Sequence, residues 1–228
     1  AELVAIATVA DVLPLTGENR YLVRRGLDKI ATAPSVGVAA LLSECGMGDK
    51  KLTATSIGFT LAPRLNAAGR LGKAATAAEL LMASDEGEAA ALAAELCELN
   101  HRRQSIEMDI WKKANAMLGD TPPAAPIVLA SDNWHQGVIG IAASRLAEQY
   151  SLPAVMICLD GDRGKGSCRS YGGFNLFEAL SACADYLEGF GGHALAAGLT
   201  IRRDRLDAFR AALAAYYQNN IPAESGAP

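Results

Sequence analysis

Residues 85–119 read DEGEAAALAAELCELNHRRQSIEMDIWKKANAMLG, and this stretch decides the architecture. Asp85 followed by Glu88 three residues on is a capping-box-like start, with Asp in place of Ser or Thr. Leu92, Leu96, Leu99, Ile106, Ile110 and Met117 then recur at spacings built from three and four, the period of one helical face. Gly119 and the Pro122-Pro123 pair end the pattern. The spacing predicts one continuous helix from about Glu86 to Leu118, roughly 33 residues and about 50 Å long at 1.5 Å per residue. A helix of that length bridges two bodies or packs as a strut. Arg103 falls on the apolar stripe, so it must snorkel or face a groove.

Working outward, the chain divides into residues 1–84, the helix at 85–120, and residues 121–228. The first segment is Ala-rich and reads helical, with helices expected at Asn19–Ile30, Val36–Leu42 and Ala75–Ala83. Between the last two, residues 62–72 read A-P-R-L-N-A-A-G-R-L-G, a Pro/Gly-containing stretch expected to turn. The last segment alternates. Strands are expected at Ile127–Ala130, Ala154–Leu159, Gly166–Tyr171 and Ala196–Ile201, and helices at Val138–Gln149, Leu176–Leu187 and Leu206–Tyr217. That alternation is the mark of an α/β sheet domain. The polar tail after Asn219 is expected to fray.

Composition narrows the function. The chain has 228 residues, 50% of them hydrophobic, enough for one large or two small cores. Its apolar runs are too short to span a bilayer, and no charged-then-apolar leader opens it. It begins at Ala1 inside an apolar segment, which reads as a cut through a longer protein. Five cysteines, an odd number with no C-x-x-C pair, argue against zinc and a disulfide framework and fit a reducing cytoplasm. A formal charge of −4 argues against a protein that holds nucleic acid by bulk electrostatics, so any such site must be local.

Several constellations could carry chemistry. Asp11 closes the apolar run T-V-A-D-V-L-P-L; it is either a cap or a metal ligand. With three histidines and no dense Asp/His cluster, the chain does not encode a complete metal site. Arg64, Asn66 and Arg70, among small residues, suit a phosphate or base, or else cap carbonyls in a turn. Trp134-His135-Gln136-Gly137-Val138-Ile139-Gly140 falls where a strand ends and a helix begins, a common ligand position in α/β sheets; Trp134 could equally plug the core. In Gly161–Ser170, extended backbone from Gly166 would put Lys165, Ser167 and Arg169 on one face and Cys168 on the other. Two cations and a hydroxyl there form a phosphate cradle, or a solvated edge. Phe190-Gly191-Gly192-His193-Ala194 reads as a turn in which glycines admit a ligand and His193 can donate to it.

Together these segments resemble one family. T-V-A-D-V-L-P-L resembles the fourth motif of the DHH phosphoesterases. P-R-L-N-A-A-G-R-L-G, N-W-H-Q-G-V-I-G, G-K-G-S-C-R-S, G-F-N-L-F-E-A-L and F-G-G-H-A-L-A-A-G-L resemble, in order, those of the RecJ-type exonucleases. The resemblance implies the end of a mainly helical DHH domain, a long connecting helix and an α/β DHHA1 domain with a mixed sheet. It implies 5′→3′ hydrolysis of single-stranded DNA with two Mn²⁺ or Mg²⁺ ions in the full-length enzyme, DNA threading between the domains. Asp11 then matches a metal ligand, the other ligands lying upstream, so that this chain alone would hold no metal and be inactive. Ser167 and Arg169, with Lys165 beside them, match residues holding a 5′-phosphate. Arg64, Asn66, Arg70, His135, Gln136, Gly137, Gly191, Gly192 and His193 match positions facing the nucleic acid, with His193 grouped with Asp11 as catalytic. A cytoplasmic monomer is expected, with room for helicase or single-strand-binding protein partners and no membrane. The alternatives are a DHHA1-type binding module without hydrolysis, as in the appendage of alanyl-tRNA synthetase, and an oligoribonuclease or cyclic-dinucleotide phosphodiesterase. The long helix argues against the last.

Overall fold

The computed structural model describes residues 1–48 and 50–220. The chain forms two compact units that divide after Gln104. The first unit is helical: α1 (Glu2–Ala10), α2 (Gly17–Thr32), α3 (Val36–Glu44), a short α4 (Ala54–Ser56), a π-helical turn (Ile57–Leu61), α5 (Ala62–Arg70), α6 (Ala74–Met82) and the first part of α7 (Glu86–Leu118). Ala5, Ile30, Leu41, Ile57, Leu80 and Leu96 anchor its core. Glycine sets two of its crossings. A Cβ on Gly26 would lie 2.3 Å from that of Ala5, and one on Gly37 would lie 1.8 Å from the Leu80 carbonyl oxygen.

The α7 helix is unbroken over its 33 residues, as the capped periodicity predicts. Asp85 Oδ1 accepts from the Glu88 amide at 2.8 Å. The stripe is buried at Leu96, Leu99 and Ile110, but Met117 is half exposed, so burial ends before the helix does. Arg103 donates back to Asn100 Oδ1, one turn earlier, at 2.7 Å.

Residues 62–70 correct the expected turn: they are helix α5. Pro63 stands in its first turn, where a missing N–H costs nothing. The ring would crowd the carbonyl of Phe59 in an ordinary α-helical turn, and the π-turn that precedes α5 opens the spacing there.

The second unit is a five-stranded mixed sheet ordered β1-β2-β3-β5-β4. Its strands are β1 (Ile127–Ser131), β2 (Ala154–Asp160), β3 (Arg163–Arg169), β4 (Gly189–Gly192) and β5 (Ala196–Arg202). β1 and β2 are parallel, joined through α8 (Ile139–Tyr150), and the other pairings are antiparallel. α9 (Leu176–Ala182) and α10 (Leu206–Asn219) help cover one face, where Val155, Ile157, Cys168, Leu199, Ile201 and Phe209 form the core. α8 lies over β2 and β3 on the other. A polar network binds α8 to the second half of α7. Trp111 Nε1 donates to Gln149 at 3.0 Å, Gln149 and Tyr150 both donate to Asn115 Oδ1, and the Arg145 guanidinium sits 4.1 Å above the Trp111 ring.

Two sequence expectations change here. The third strand starts at Arg163 rather than Gly166, because β2 and β3 form a tight hairpin around Gly161, at φ +55°. Residues 189–192 are the edge strand β4, not a turn. Glycines give a strand poor intrinsic propensity, and pairing with β5 together with the packing of Phe190 against Phe177 holds this one.

Candidate nucleic-acid interface

The first unit gathers some of the predicted residues. Asp11 is exposed at the C-terminal cap of α1. It lines a cavity of about 530 Å³ together with Val4, Ala7, Thr8, Leu13 and Asn66. Arg70 is exposed in the last turn of α5. Arg64 is turned inward: Nη1 donates to the Thr60 carbonyl at 2.6 Å and Nε to Cys97 Sγ at 3.2 Å. Its geometry is therefore the carbonyl-capping alternative, set in a helix instead of a turn. Asp11 is the one carboxylate lining its cavity, and among the described residues no group of three or more His, Cys, Asp or Glu could hold a metal ion. The described residues by themselves do not fit a divalent site.

In the second unit, Lys165, Ser167 and Arg169 share one face of β3, and Cys168 is fully buried on the other. Burial pushes the Cys168 thiol up to about 12, which removes it as a nucleophile. Gly140, in the first turn of α8, meets this face. A Cβ there would lie 3.0 Å from Arg169 Nη2 and 3.4 Å from Ser167 Oγ. Arg169 is half-buried and donates from Nη1 to the Cys168 carbonyl at 2.8 Å. Burial lowers its pKa, but from so high an ordinary value that the guanidinium stays charged at neutral pH.

Sheet register adds what periodicity alone does not. Ser167 stands opposite Gly198 on β5, and Gly198 opposite Gly191 on β4. Paired residues share a face, so Ser167 borders a strip of bare backbone, and both glycines are exposed. A Cβ on Gly191 would meet nothing within 4 Å, and one on Gly198 only ordinary contact with the Gly166 carbonyl at 3.6 Å. Gly192 is different. Its φ of +139° and a would-be Cβ contact of 2.5 Å with Ala196 O make it a requirement of the fold. His193 follows β4, exposed, with its amide and Nδ1 both donating to the Ala196 carbonyl, at 2.9 and 2.8 Å. That leaves Nε2 as the acceptor of a neutral ring.

The loop after β1 carries the remaining residues. Trp134 is buried, as a core plug would be, and Cys158 Sγ donates to its carbonyl at 2.9 Å. His135 and Gln136 are exposed. The Gly137 amide donates to His135 Nδ1 at 3.1 Å, so the neutral ring carries its proton on Nε2. Arg203 anchors the start of the loop, donating to both Asp132 carboxylate oxygens and, at 2.9 Å, to the Gly161 carbonyl. Arg203 holds the Asp132 carboxyl below the usual carboxylate range. A depressed carboxylate stabilises the fold above its ordinary pKa and loses that contribution as pH falls through its lowered one. The NMR signal of the Asn133 amide, next to Asp132, should therefore shift as pH drops below about 4, and Arg203→Ala should move that transition upward. An unmoved transition would show that the clamp does not order the loop.

Asp132, Gly198 and Arg203 were not legible as site residues. Gly198 alone left a usable signal, since the alternation in Ala196–Ile201 puts it on the face opposite Leu199 and Ile201.

Residues 124–219, which hold this sheet, match the model of the DHHA1 domain. Beyond that domain, its whole length is homologous to RecJ. It is 39% identical over 230 residues to the single-stranded-DNA-specific exonuclease RecJ of Bacillus subtilis (strain 168), covering all of this chain and 29% of that protein. It is 40% identical to RecJ of Thermus thermophilus, covering 95% of this chain and 31% of that protein. The crystal structure of Thermus thermophilus RecJ with Mn²⁺ superposes with a TM-score of 0.87 at 39% identity, covering 96% of this chain and 32% of that one. A RecJ structure bound to manganese superposes at 0.81, covering 54% of that chain. The chain thus spans about a third of the length of the curated relatives it matches.

Proposed function

We propose that this chain is the part of a single-strand-specific 5′→3′ DNA exonuclease that holds the DNA strand and its 5′-phosphate. The observation that carries the reading is the β3 face: Lys165, Ser167 and Arg169 beside the bare backbone of Gly198 and Gly191. Two cations and a hydroxyl bind phosphate oxygens, and the missing side chains let a strand lie against the sheet. His135, Gln136 and Gly137 present further donors, and His193 stands at the end of β4 as a group that could exchange a proton with substrate. In the first unit, Asn66 and Asp11 share one cavity, and Asp11 would join ligands from the rest of the parent protein to hold Mn²⁺ or Mg²⁺ there. The working division for the parent is residues 1–84 as the end of the DHH domain, 85–120 as the connecting helix and 121–228 as the DHHA1 domain. On this reading the parent works on chromosomal DNA in repair and recombination, as a monomer in the cytoplasm.

The glycine floor supplies the test. Gly191→Ala should leave the melting temperature unchanged, because its Cβ meets nothing. It should weaken binding of 5′-phosphorylated single-stranded DNA several-fold in fluorescence anisotropy. Unchanged binding by both Gly191→Ala and Gly198→Ala would sink the reading of this face.

Binding without hydrolysis is the second reading, favoured for the isolated chain because Asp11 has no other carboxylate on its cavity. With Mn²⁺ or Mg²⁺ the purified chain should release no nucleotides from 5′-phosphorylated DNA. Release that Asp11→Ala abolishes would overturn this.

A further inference from the structure

Phe59 is 82% exposed, the most exposed aromatic ring among the described residues, and it stands on the π-turn before α5. Its neighbours in the turn face the other way: Ile57 is 0% and Leu61 1% exposed. They root the turn in the core. The Arg64 guanidinium adds a lock from the next turn through its hydrogen bond to the Thr60 carbonyl. The ring is therefore held outward by a fixed backbone and is not a frayed side chain on a loose loop. π-turns of this kind cost helix stability and recur at functional sites.

The helix continues the line that Phe59 begins. Pro63, Asn66 and Arg70 follow at steps of four, three and four residues, the spacing of one helical face, and Asn66 and Arg70 are exposed. Asn66 also lines the Asp11 cavity. One ridge thus presents, in order, a flat aromatic ring, an amide and a guanidinium.

We propose that Phe59 is a stacking platform for an unpaired nucleobase, with Asn66 and Arg70 tracking the sugar-phosphate that follows it. A π-face accepts any base, which suits a protein that takes single strands regardless of sequence. A guanidinium along the same ridge supplies the charge that the acidic chain as a whole lacks. The proposal rests on the reading of this chain as a binder of single-stranded DNA and adds a base contact to it.

The test uses the 228-residue chain and oligodeoxynucleotides carrying one 2-aminopurine at successive positions. Stacking on Phe59 should quench the probe at one position. Phe59→Ala should abolish that quench and weaken binding roughly five- to a hundredfold. On an oligonucleotide abasic at that position, wild type and Phe59→Ala should bind alike. Phe59→Trp should restore quench and affinity, and Phe59→Leu should not. Equal binding of the intact oligonucleotide by wild type and Phe59→Ala overturns the proposal while leaving the DNA-binding reading intact. Leu serving as well as Phe also overturns it, and would assign the ring to an apolar protein contact. A wild-type chain that binds no single-stranded DNA overturns both.

Discussion

Replacing Arg169 with Ala is expected to weaken binding of 5′-phosphorylated single-stranded DNA by roughly ten- to a hundredfold, with much less effect on 5′-hydroxyl DNA. One contact of this kind contributes about 1.5–3 kcal/mol, and that range sets the factor. The geometry selects Arg169 over Lys165, because Lys165 is exposed and Arg169 half-buried. Its Nη2 and Ser167 Oγ both approach Gly140 in the first turn of α8, at 3.0 and 3.4 Å from where a Cβ there would stand. A helix start, a guanidinium and a hydroxyl would together suit an anion, and a terminal phosphate carries more charge than an internal one. Arg169→Lys should recover part of the loss, since it keeps the charge but not the fork. The measurement is anisotropy on matched oligonucleotides with and without the phosphate. Equal losses on both would make Arg169 a general backbone contact, and no loss on either would make it a solvated edge residue.

Gly37→Ala should cause the largest loss of stability of any single methyl group in the first unit. The added carbon would lie 1.8 Å from Leu80 O and 2.7 Å from Leu80 C, which are backbone atoms of α6. Helix α3 must move away from α6, and Leu41 and Leu80, both essentially fully buried, lose packing with it. Overpacking of this sort costs about 3 kcal/mol. The urea midpoint of the first unit should fall accordingly with an unchanged slope. A midpoint matching wild type would mean that the two helices part easily at this crossing. Gly191→Ala is the contrast: the same chemical change on an open strand face should cost the fold nothing.

The sequence by itself determined the elements whose signals are local. The long helix is legible to the residue, because its cap, its period and its glycine stop lie within the segment they define. Period-two alternation is also local, so the shared face of Lys165, Ser167 and Arg169 and the inward Cys168 followed from the residues alone. Only the tertiary structure decided the rest. Residues 62–70 carry proline and glycine, which locally signal a turn, yet the π-turn before them and the core contacts of Ala67 and Ala68 make them a helix. Residues 189–192 have almost no side chains from which to read a strand, and pairing with β5 makes them one. The same pairing separates two adjacent glycines, Gly192 wedged against Ala196 and Gly191 open to solvent. Arg203 reaches Asp132 across 71 residues of chain, a contact that no window of sequence contains. Side chains that share a face can be read along a strand because a strand's geometry repeats every two residues. The floor beside them cannot, because register between strands is set by long-range pairing.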